Sequence, residues 1–173
     1  MPDQMHDKPS LEQLLLKDQL SHYRLQRHDF LNHWQVIMGY LQLGKADKAL
    51  SYMREGINGL EAEQIIGQIP QEIVAAILLN FIIALRKEEI SVEVEMDPAM
   101  KDENFWEEFW QKEYGQAIYG YTKESLTDLF EQRKGLKEPY VLLQLKGQEP
   151  FLCHIKLEDG ERMVWENHLE LNR

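Results

Sequence analysis

The feature that most constrains this chain is a long apolar repeat near its start. Leu16, Leu20, Tyr23, Phe30, Trp34, Ile37 and Leu41 recur at alternating spacings of four and three, with Arg27 filling the one slot that is not apolar. Held over several turns, that rhythm is the seam of an α-helix packed side by side with other helices. A second set, Ser21, Arg24, His28, Asn32 and Gln35, runs along another face at spacings of three and four, and every member is polar. His28 is therefore expected to point outward beside the seam rather than into a core.

The limits of this helix are written locally. Ser10 followed by Gln13 is a capping box, which starts the helix at Leu11. Gly44, where a left-handed residue is easiest, ends it after Leu43. Ala46, Leu50, Met53, Ile57 and Leu60 then resume the four-three spacing, which predicts a second, antiparallel helix from Ala46 to Ile66. Gly56 and Gly59 weaken its interior or permit close helix approach. One hairpin cannot cover such a seam on both of its helices. Two hairpins side by side make a four-helix bundle, so a homodimer is expected; an intramolecular bundle closed by later helices is the alternative.

Gly67-Gln68-Ile69-Pro70 breaks the chain, which divides into a helical hairpin over 1–67 and an α+β region over 68–173. Gln71 to Lys87 reads as a buried helix, since only Asn80 is polar between Ile73 and Leu85. That run is shorter than the roughly 17 residues that cross a bilayer, so no membrane contact is expected. Ile90 to Met96 alternates apolar and acidic residues and reads as a half-buried strand. Helices are expected over Asn104–Ala117 and Lys123–Lys134, with strands over Tyr140–Lys146, Phe151–Leu157 and Arg162–Leu169. The Gly147-Gln148-Glu149-Pro150 link and the Glu158-Asp159-Gly160-Glu161 turn join those strands.

Charge and cysteine content narrow the function. Among 173 residues, 19 are Lys or Arg and 30 are Asp or Glu, for a net charge of −11. A nucleic-acid partner calls for a basic surplus, so none is expected. A single cysteine, Cys153, fits a reducing compartment, and Met1 to Pro9 carries no apolar core of a secretory signal; a cytoplasmic protein is expected. Cys153 and His154 are neighbours on a strand and point to opposite faces, which disfavours a Cys-His nucleophile. His22, Gln26, Asp29 and His33 share a helix face, yet they fall short of a metal site and read as a solvated stripe.

An outward imidazole on a rigid helix suits a nucleophile that meets a large partner, because free imidazole is largely neutral near pH 7. Asn32 offers an amide one turn on, Arg24 and Arg27 add positive charge for a phosphate, and Asp29 could orient the ring. By spacing alone the same pattern fits an ordinary solvated helix face. The run Arg27-His28-Asp29-Phe30-Leu31-Asn32-His33-Trp34-Gln35-Val36-Ile37, followed by Gly39 to Gly44, resembles the histidine box of the sporulation-initiation phosphotransferase family. It is also similar to the dimerisation hairpin of the citrate and dicarboxylate sensor kinases.

The resemblance implies that His28 is the phosphoacceptor, supported by Asn32, Arg27, Asp29, Arg24 and Gln35. It also implies a dimeric four-helix bundle followed by a small α/β domain akin to a degenerate histidine-kinase ATPase domain. The kinase magnesium-ligating asparagine helix, Asp-x-Gly-x-Gly turn and glycine-rich lid are not found in the chain, nor is a Walker loop. The expected partners are therefore the receiver domains of response regulators, as phosphoryl donor and acceptor. No cofactor is expected on this chain, and Mg2+ is expected to come with the receiver. A diverged sensor kinase and a dimeric scaffold without chemistry are the alternatives.

Overall fold

A computed structural model describes residues 8–147 and 150–172. The N-terminal segment read for a secretory signal lies almost wholly outside the described residues, as do Gln148 and Glu149 of the strand link. Helix α1 spans Leu11–Gln42. The Ser10 hydroxyl accepts from the Gln13 amide while the Gln13 side chain accepts from the Ser10 amide, the reciprocal arrangement expected of the box. Gly44 stops it at φ +67°, a left-handed conformation that costs a side-chain-bearing residue energy.

The return helix departs from expectation. Helix α2 ends at Asn58 and a separate short helix, α3, runs over Glu61–Ile66. Two glycines weaken the run, and Gly59 gives its carbonyl to the Arg86 guanidinium, which also pairs with Glu63 at 2.5 Å. The break turns α3 off the hairpin and onto the sheet and helix that follow. Helix α4, Glu72–Lys87, is the expected buried helix, with Val74, Ile77, Leu78, Phe81, Ile82 and Leu85 all inside. Glu89, at φ 59°, turns it into strand β1, Ser91–Met96.

A 3-10 turn over Pro98–Lys101 precedes helix α5, Glu103–Phe109, and helix α6, Lys112–Gln132. This corrects the expected helices at 104–117 and 123–134: the break sits at Trp110 and Gln111, both extended, and α6 then runs unbroken through Gly115 and Gly120. The aromatics decide it. Phe105, Trp106 and Phe109 close on one another, and the last two also reach Phe151, which folds α5 back before α6 can start. Gly115 does not bend α6. It admits a close approach, since a Cβ there would lie 3.0 Å from Leu11 and 3.3 Å from Ile73.

Strands β2, Pro139–Lys146, β3, Phe151–Asp159, and β4, Arg162–Leu171, complete a sheet of order β1-β2-β3-β4. Strand β1 runs parallel to β2, and the other pairs are antiparallel, with a bulge between Leu157 and Glu158. The inner face, with Val141, Leu143, Leu145, Cys153, Ile155 and Leu157, is buried under α4 and α6. Leu11 and Leu15 of α1 and Ala62 and Ile66 of α3 belong to this same core. The whole is an α+β fold: a long helical region followed by a mixed four-stranded sheet.

Candidate functional site

One face of α1 is committed to its own chain. Leu11 and Leu15 are buried, Asp18 pairs with Lys123 of α6 at 3.0 Å, and His22 Nδ1 lies 3.0 Å from Asn80 Oδ1 on α4. Further along the same face, His33 Nδ1 meets the Tyr52 hydroxyl of α2 at 2.7 Å, and Tyr40 packs edge-on against that ring. A second face holds the seam residues Leu16, Leu20, Tyr23, Phe30, Trp34 and Leu41, all exposed, with Phe30 at 60 %. At 100° per residue, His28 stands about 120° round the helix from His22 and about 120° the other way from Trp34. It is the outward ridge between the face committed to its own chain and the exposed apolar face.

The polar set named from the sequence shares that ridge. Ser21, Arg24, His28, Asn32 and Gln35 are all exposed, and the His28 side chain retains 72 % of its accessible surface. Two neighbours approach one atom of its ring: Asn32 Nδ2 lies 3.2 Å from Nδ1, and Asp29 Oδ1 lies 3.4 Å from it. The two contacts answer to opposite tautomers. Asn32 can donate only to a bare Nδ1, which leaves the proton on Nε2. Asp29 can accept only from a protonated Nδ1, which leaves the Nε2 lone pair free to attack. Arg24, Arg27 and Gln35 are exposed nearby.

The expected solvated stripe of His22, Gln26, Asp29 and His33 needs correcting at His22; the other three are exposed. His22 is half-buried against α4, and burial, followed by the nearby Lys87 ammonium, lowers its pKa below the ordinary histidine value. His33 is held by Tyr52. Among the described residues no three His, Cys, Asp or Glu side chains gather as a metal site. The partners of His22 and His33 are the residues that sequence reasoning missed. The signal for the first was Asn80 itself, the one polar residue in an otherwise apolar helix, which needs a buried partner.

Elsewhere the remaining sites have structural roles. Cys153 is fully buried and its thiol is pushed up to about 12 by that burial, which removes it as a nucleophile. His154 points the other way, to Glu166 at 3.0 Å. Asp159 accepts from the backbone amides of Lys137 and Glu138 at 3.1 and 2.8 Å, and Gly160 is left-handed at φ +63°. The Asp-Gly pair is thus a strand turn that also pins the start of β2.

The family model of the alpha-helical domain of SpoOB-type sensor kinases matches residues 11–69. The likeness covers residues 11–69 of the 173. The SpoOB-type region takes in α1, α2 and α3 and therefore the whole ridge that carries His28. It marks the chain as related to two-component and sporulation signalling. No curated protein matches the chain. Among the described residues no helix is long and apolar enough to cross a membrane.

Proposed function

We propose that this protein is a histidine phosphotransferase that takes a phosphoryl group from one response-regulator aspartate and passes it to another through phospho-His28. The observation that carries the reading is the exposure of His28 on a SpoOB-type helix, with both its polar neighbours at Nδ1 and no hydrogen bond to Nε2 among the described residues. A receiver-bound acyl phosphate can approach that side of the ring without displacing any protein group.

The first transfer forms one bond and breaks another. The Nε2 lone pair attacks phosphorus in line with the departing aspartate oxygen, the N–P bond forms, and the bonding pair leaves with the carboxylate. The imidazole is then cationic, its proton on Nδ1 facing Asp29, which holds the ring in the attacking tautomer. Asn32, no longer able to donate to Nδ1, is free to turn its amide toward a phosphoryl oxygen. Arg24 and Gln35 share the ridge, and Arg27 lies about 100° from His28 toward the seam. Magnesium belongs, on this reading, to the receiver domain and neutralises charge on the phosphoryl oxygens there. The second transfer is the same step in reverse, onto the aspartate of the acceptor.

The phosphoryl group comes from a protein rather than from ATP. Nucleotide-binding motifs are missing from the sequence beyond Pro70, and Asp159, the nearest candidate for an adenine-reading aspartate, is occupied with the Lys137 and Glu138 amides. The working form is a homodimer, with the exposed seams of α1 and α2 closing into a four-helix bundle and two His28 ridges outside. Incubation with a panel of phosphorylated receiver domains tests the reading. Wild type should acquire an acid-labile, base-stable label that His28→Gln does not. A label of wild-type extent on His28→Gln would sink it.

A further inference from the structure

Strand β1 lies at the end of the sheet, bonded to β2 on one side and, among the described residues, to no strand on the other. Six residues long, it carries neither a proline nor a bulge; its protection is the charge of Glu93 and Glu95 and the packing of α3 beside it. A groove of about 980 Å³ runs along it, between β1, α3 and the end of α4. All four residues from Ser91 to Val94 line that groove, from both faces of the strand, and it continues across the end of the sheet past Pro139, Tyr140 and Gly160. This surface is far in sequence from His28 and plays no part in the transfer chemistry above.

The two sides of the edge differ in chemistry. On the inner side Val92, Val94 and Met96 pair with Val141, Leu143 and Leu145, and Ala62 and Ile65 of α3 form an apolar wall. On the outer side stand Ser91, Glu93 and Glu95, the last accepting from the Gln144 amide of β2. Glu61, Glu89 and Glu138 add carboxylates around the rim. Of the two cations there, Arg86 is already engaged by Glu63 and the Gly59 carbonyl, which leaves Lys137. The rim therefore presents an excess of negative charge beside unpaired backbone amides and carbonyls.

The geometry points to β1 as a docking edge for an extended protein segment that alternates basic and apolar residues. Main-chain hydrogen bonds would add it as a fifth strand. Period-two alternation places its apolar residues over Val92 and Ile65 and its Lys or Arg residues opposite Glu93 and Glu95, where opposite charges across strands attract. A segment of the same pattern with acidic residues would meet like charge and be rejected.

The test uses the full chain and a fluorescent eight-residue peptide alternating valine and lysine. Saturable binding by anisotropy is expected, with alternate β1 amides slowed in hydrogen exchange. Glu93→Lys, an exposed reversal checked for folding by circular dichroism, should weaken binding at least tenfold and gain affinity for the valine–glutamate counterpart. Glu93→Gln should fall between. Binding unchanged in Glu93→Lys, protection confined to α1 and α2, absence of binding, or pairing of two copies through β1 in place of peptide would each overturn the proposal. Loss of phosphotransfer in His28→Gln has no bearing on these readouts, so the two readings fail separately.

Discussion

At Nδ1 of His28 two neighbours compete for a single position, and the proton decides which of them is bonded. Asn32 sits 3.2 Å away on an exposed turn of α1 and makes no other hydrogen bond among the described residues. Asn32→Ala should slow transfer by roughly tenfold, the worth of one hydrogen bond of about 1.4 kcal/mol from its amide to a phosphoryl oxygen at the transition state. Its unfolding free energy should shift by under about 0.5 kcal/mol. Single-turnover transfer beside urea denaturation separates the two quantities, and a large stability loss with normal transfer would make Asn32 structural. His22, six residues earlier, behaves differently. Its folded pKa lies below the unfolded value, so the unfolded chain binds more protons, and stability rises with pH. The contribution is complete above the unfolded value near pH 6.5 and is lost as pH falls below it. Urea midpoints at pH 7.5 and 5.5 should differ less in His22→Gln than in wild type.

Among the elements, those whose limits are set by neighbours in sequence were legible. Ser10 with Gln13 opens α1 and Gly44 closes it, and both are visible within a few residues. Gly44→Ala should cost about 1 kcal/mol, because φ +67° crowds a Cβ against backbone although no other atom lies within 4 Å. Thermal unfolding measures it. The alternation in β1 to β4 was legible for the same reason. The break at Gly59 was not: the group that takes its carbonyl, Arg86, is 27 residues away. The end of α5 is set by rings that meet Phe151, again a distant residue. At the site, His28, Asp29 and Asn32 lie within five positions and could be read together. His22 and Asn80 are 58 apart, and only the fold joins them.

For the whole molecule, the unresolved balance is surface. The α1 seam and Leu50, Met53, Ile57 and Leu60 on the return side are exposed in the single chain. Each large apolar side chain left in water forgoes roughly 1.5 to 3 kcal/mol, so association of two hairpins relieves several such terms at once. Leu41→Glu or Leu50→Glu should dissociate or unfold the assembly by placing an unpaired charge in the seam. Sedimentation equilibrium at micromolar concentration decides it, and a fully active monomer of 20.5 kDa would exclude the bundle. Calorimetric titration with magnesium-ATP should show no heat of binding. Micromolar affinity together with labelling of His28 would place the protein among the kinases instead.

The early anchoring of α1 has a mechanical consequence. At 32 residues the helix is about 48 Å long, and among the described residues its last side-chain hydrogen bond to the α/β part is that of His22. His28 is about 9 Å beyond that fulcrum, whereas Gln42 is about 30 Å beyond it. A tilt of about 10° about His22 would carry the far tip roughly 5 Å but the imidazole only about 1.6 Å, by the same helical rise. The reactive group thus rides close to the pivot of a long lever, where a tilt of the hairpin would displace it little while turning it through the same angle as the helix.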